Sequence, residues 1–80
     1  MAGKRVRVLL TREAYRSCFA KPSARFLSTI LSLEKGDVIE VEGDEIFYPL
    51  ERVRRTLLEV GFRILREESD GVEYTVIAER

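Results

Sequence analysis

From Pro49 to Gly61 the chain carries a helix marked at both ends, and the segments around it leave few folds to choose from. Leu50, Val53, Leu57 and Val60 recur at spacings of three, four and three, which puts them on one apolar face. Arg52, Arg54, Arg55 and Glu59 cover the rest, and Glu51 and Arg55 form a favourable pair four apart. Pro49 suits the helix start, where a missing N–H costs nothing. Gly61 suits the stop, where a left-handed residue is wanted. Phe62 and Ile64 then alternate, Ser69-Asp70-Gly71 reads as a hairpin turn, and Val72, Tyr74, Val76 and Ala78 alternate again. A three-residue loop with Gly71 left-handed puts Phe62 and Ile64 on the face of Val76 and Ala78.

The first half repeats the pattern more faintly. Arg5–Thr11 reads as a strand built on Val6, Val8, Leu9 and Leu10. Arg12–Lys21 follows neither period and reads as a loop. Pro22 opens a helix whose apolar face is Phe26, Leu27, Ile30, Leu31 and Leu33, ended at Lys35-Gly36-Asp37. Val38, Ile39 and Val41 make a second strand, stopped by Gly43-Asp44. The expected fold is α+β, in the order β-α-β-α-β-β. It is a two-layer sandwich, with two helices packed on one face of a four-stranded mixed sheet. Strands joined through a helix are expected parallel, with right-handed crossovers, and the last pair antiparallel. Residues 1–80 form one domain, since a chain this short supports a single modest core.

Charge is balanced overall, with 14 basic and 14 acidic side chains, yet unevenly placed. Up to Leu33 there are seven basic residues against Glu13 alone, a net of +6; from Glu34 onward the net is −6. The first third therefore offers a cationic surface to an anion, unless strand pairing brings the two halves together and cancels the field. One cysteine forbids an internal disulfide and fits a reducing, cytoplasmic setting. The apolar run in MAGKRVRVLL is too short for a signal peptide or a membrane span. The absence of Asn and Gln, with Arg and Glu dominant, points towards a thermophile. With no His and one Cys, a zinc site of the usual kind and His-assisted nucleophiles are excluded, and no metal or cofactor is expected. Glu40 and Glu42 share one face of the second strand, where a solvated role is expected.

From about Leu10 to Ile77 the spacing resembles the TusA/SirA-like sulfur-carrier family. The likeness rests on Pro22, Gly36-Asp37, Asp44, Gly61-Phe62 and Asp70-Gly71. The family carries a Cys-Pro-x-Pro motif at the start of its first helix, and Pro22 resembles the motif's second proline. Here Phe19 follows Cys18, and Cys18 precedes Pro22 by four residues rather than three. The resemblance implies a sulfurtransferase or sulfur-carrier activity. Cys18 would be the catalytic residue holding a persulfide, exchanged with a sulfur-donor protein and an acceptor protein.

The residues suit that chemistry. A thiolate forms more readily near a helix N-terminus and cationic side chains. Arg12, Arg16, Lys21 and Arg25 surround Cys18 in sequence, and Pro22 sets the helix start. Thiol exchange itself requires no general base. Two other readings stay open. The same cations suit phosphate contacts, as in a nucleic-acid-binding Alba-like protein, with Tyr15 and Phe19 for stacking. Alternatively the chain is an interaction module of this fold without sulfur chemistry, in which Cys18 is a small buried hydrophobe.

Overall fold

A computed structural model describes residues 3–17 and 22–80, without the side chains of residues 15–17 and 22. Its elements are β1 (Arg5–Leu10), α1 (Arg12–Ser17), α2 (Pro22–Ser32), β2 (Val38–Asp44), α3 (Leu50–Val60), β3 (Arg63–Ser69) and β4 (Glu73–Glu79). The four strands form one mixed sheet in the order β1-β2-β4-β3. β1 and β2 are parallel; β4 runs antiparallel to both of its neighbours, β2 and β3. The expected α+β architecture is thus the observed one, with an extra helix. α1 occupies part of the segment read as a loop, and Thr11 begins it by accepting the Ala14 N–H at Oγ1, 3.3 Å away. Six residues are too few to display a helical period. None of the described helices is long and apolar enough to cross a membrane.

The period-two pattern sorts each strand between two faces. Leu10, Ile39, Val41, Tyr74, Val76 and Ala78 point under the helices, where they meet Phe26 and Ile30 of α2 and Val53 and Leu57 of α3. Phe26 meets Tyr48 edge to face, with ring centroids 5.9 Å apart. The other face bears Arg5, Arg7, Glu40, Glu42, Glu79 and Arg63, and it carries ion pairs instead of a second layer. The helix signals hold. Gly61 is left-handed at φ 105°, and the N–H groups of Gly61 and Phe62 close α3 on Leu58 and Leu57. Pro49 is the residue just before α3, and Glu45 accepts the Leu50 N–H at 2.8 Å.

Two local expectations are corrected. Gly43 does not stop β2; it sits inside the strand, paired with Leu10 and Tyr74. A Cβ there would collide with the Tyr74 phenol, whose hydroxyl donates to the Tyr48 carbonyl. Glycine is needed for this close approach rather than for a turn. The final hairpin has four residues, Asp70 to Glu73, between its last ladder pair Ser69–Tyr74. Phe62 and Ile64 still reach the buried side, because a bulge between Ile64 and Arg66 shifts the register by one.

At the opposite end of the sheet, buried Asp37 gathers three segments. Its carboxylate accepts the N–H of Lys4 at 2.9 Å and of Glu34 at 2.8 Å, and its carbonyl accepts the Arg80 N–H at 2.9 Å. The Arg80 guanidinium in turn donates to the carbonyls of Ile30 and Leu33, at 2.9 and 2.6 Å, closing the end of α2. The Glu34 amide bond, against some opposition from burial and with help from Lys4, holds the Asp37 carboxyl below its ordinary range.

Two outcomes follow from the packing. Gly43→Ala should cost about 1–3 kcal/mol by overpacking against Tyr74, read by urea unfolding; an unchanged midpoint would contradict the close approach. Because Asp37 titrates lower when folded than when unfolded, its contribution is present above the ordinary aspartate value, about 4, and lost as pH falls through the folded value. Asp37→Asn should therefore lower the melting midpoint at neutral pH, with the gap narrowing below about pH 4. A gap that stays constant into acid would refute the latch.

Candidate functional site

Parallel pairing of β1 and β2 sends both strands to one end of the sheet, and α1 leaves β1 from that end. The turn after β2 and the β3–β4 hairpin meet there as well, joined by the Glu45 N–H to the Val72 carbonyl at 2.9 Å. α2 runs back from Pro22 to close beside Asp37 at the far end, so its first turn faces the same place as α1. The carboxyl ends of parallel strands are the usual ligand edge of an open α/β sheet.

Several candidate residues converge on this end. Arg12 is the first residue of α1, exposed, with its guanidinium carbon 5.4 Å from the centre of the Phe47 ring. That cation–π contact ties α1 to the turn after β2. Arg16 lies four residues further along α1, on the same helix face by backbone position. Pro22 is the first residue of α2, and Arg25 is exposed one turn on. Cys18 and Lys21 lie outside the described residues, between Ser17 and Pro22.

Arg5 and Arg7 go elsewhere. They point to the open sheet face, where Arg5 meets Glu40 at 2.8 Å and Arg7 bridges Glu40, at 3.7 Å, and Glu42. The Arg5 hydrogen bond is the main cause that holds the Glu40 carboxyl below its ordinary range. The field of the basic third is therefore partly cancelled by strand pairing. Arg12 and Arg16 lie instead on α1, and Arg25 near the start of α2.

Beside Thr11 and Gly43 lies an open depression of about 480 Å³ with Glu42, Glu68, Asp70 and Glu73 on its walls. Three of these acids are engaged: Glu42 by Arg7, Glu68 by Arg66 at 3.2 Å, and Asp70 by the Val72 and Glu73 amides of its own turn. Hydrogen bonding from Glu73 and Val72 holds the Asp70 carboxyl low. Among the described residues no group of His, Cys, Asp or Glu is placed to hold a metal ion.

Sequence reasoning missed Phe47 and Asp37. Phe47 follows the acidic stretch after β2 without periodicity, so no local signal tied it to Arg12, 35 residues earlier. Asp37 was visible as the polar end of a helix stop and as part of the Gly36-Asp37 likeness, but not as a group that joins distant segments.

No protein-family model, curated protein or solved structure matches the chain.

In a double-mutant cycle with unfolding read by urea, Arg12→Ala and Phe47→Leu should show a coupling of about 0.5–1 kcal/mol. Strict additivity would mean that the stack does not hold α1.

Proposed function

We propose that the protein is a sulfur carrier of the TusA/SirA-like kind, with Cys18 as the residue that holds the sulfur. The supporting observation is the partition of the cations. Arg5 and Arg7 pair with Glu40 and Glu42 on the open sheet face, while Arg12, Arg16 and Arg25 lie on the two helices that flank the Cys18 segment in sequence. Electropositive surroundings and a helix start nearby favour the thiolate.

The step is an exchange between sulfurs. The Cys18 thiolate attacks the outer sulfur of a donor persulfide; the new Cys18–S bond forms as the donor S–S bond breaks. The donor leaves as a thiolate, so one sulfur atom moves and no external oxidant or reductant is consumed. Arg16 and Lys21 stabilise the attacking thiolate, and Pro22 sets the start of α2. An acceptor thiolate then takes the sulfur by the same exchange. No cofactor enters this scheme. A donor protein and an acceptor protein are its partners, in a cytoplasm that keeps thiols reduced. The Arg- and Glu-rich surface without Asn or Gln fits a thermophilic source.

Incubation with a small-molecule persulfide should add the mass of one sulfur atom to the intact protein. Cys18→Ser should abolish the gain, and Arg16→Ala with Lys21→Ala should slow it. A protein that takes up no sulfur under these conditions is instead an interaction module of this fold.

A further inference from the structure

The outer edge of β1 is built to accept another strand. The Val38 N–H donates to the Lys4 carbonyl, which fixes the alternation along β1. Lys4, Val6, Val8 and Leu10 turn their main-chain groups towards β2; Arg5, Arg7 and Leu9 turn theirs outward. Among the described residues no hydrogen bond reaches those outward groups. The edge is six residues long, without proline or bulge, and its Arg5 and Arg7 make it selective against like-charged strands. The opposite edge, β3, is interrupted by its bulge and held by Arg54, which binds Glu67 at 2.7 Å.

The chemistry of an occupant can be read from the strand already on the other side. β2 runs Val-Ile-Glu-Val-Glu, and its Glu40 and Glu42 meet Arg5 and Arg7 across the ladder. The two arginine side chains remain 63% and 61% exposed, so both still have donors for a second carboxylate. Val6 and Val8 are only half buried on the helix side of the same edge. We propose that the β1 edge binds an extended acidic peptide segment of a partner protein. Its carboxylates alternate with apolar residues, so that the carboxylates meet Arg5 and Arg7 and the apolar side chains meet Val6 and Val8. Main-chain bonds supply the attachment and the alternation supplies the selection. A second copy fits worse, because two β1 edges would set Lys4, Arg5 and Arg7 against the same cations.

The probe is a fluorescent peptide with the β2 sequence, Val-Ile-Glu-Val-Glu-Gly-Asp, added to the full chain and to Cys18→Ser. Binding should be equal in the two proteins, which separates this proposal from the sulfur chemistry. It should weaken at least about tenfold when lysine replaces each glutamate of the peptide. The Arg5, Arg7 and Leu9 amides should become protected from exchange. Arg7→Glu should reverse the preference between the two peptides; if that variant does not fold, Arg7→Gln should halve the discrimination or more. Four results would overturn the proposal. These are no binding, binding indifferent to peptide charge, protection of those amides by self-association without peptide, and occupation of the edge by RNA or duplex DNA in place of the peptide.

Discussion

The Asp37 carboxylate accepts a main-chain N–H from Lys4, just before β1, and another from Glu34, just after α2, while its own carbonyl holds the N–H of Arg80, just after β4. Only an ionised carboxylate can accept at both oxygens without a competing proton. With β1 and α2 anchored at this end, their opposite ends are set relative to each other. Those opposite ends carry α1 and the first turn of α2, the elements on either side of Cys18 in sequence. Arg80 reinforces the anchor by closing α2, with its guanidinium also 5.8 Å from the centre of the Phe62 ring. The two helix ends that flank residues 18–21 in sequence are thus positioned from the far side of the molecule.

How much could be read beforehand follows from the range of each interaction. α3 was legible because its stripe, its opening Pro49 and its closing Gly61 lie within one window. The alternation of β4 was legible for the same reason. Gly43 was misread as a turn because Tyr74, the ring that requires it to be glycine, lies 31 residues away. The bulge near Leu65 leaves no mark in the residues around it. It reconciles a four-residue hairpin with two apolar strand faces, which is a condition on the whole sheet. α1 was invisible because one and a half turns of Arg-Glu-Ala-Tyr-Arg-Ser carry no stripe.

The candidate site was legible in composition and only partly in place. The excess of positive charge was plain, but its division was not. Arg5 and Arg7 find carboxylates 35 residues away once β1 and β2 pair, and only the pairing register reveals it. Arg12 and Arg16 lie instead on α1 and Arg25 in the first turn of α2, on either side of Cys18 in sequence. Exposed ion pairs of this kind add little stability. The pairs of Arg5 and Arg7 lie on the open sheet face, away from the helices.

The reactivity of the Cys18 thiol is the most direct measure of the account. The rate of Cys18 alkylation by iodoacetamide, followed against pH, gives the thiol's ionisation constant. A sulfur-carrying Cys18 should give a value below the ordinary cysteine value of about 8.5, moving upward in Arg16→Ala and again in Lys21→Ala. A thiol that ionises at or above that value, and does not respond to either substitution, would contradict it.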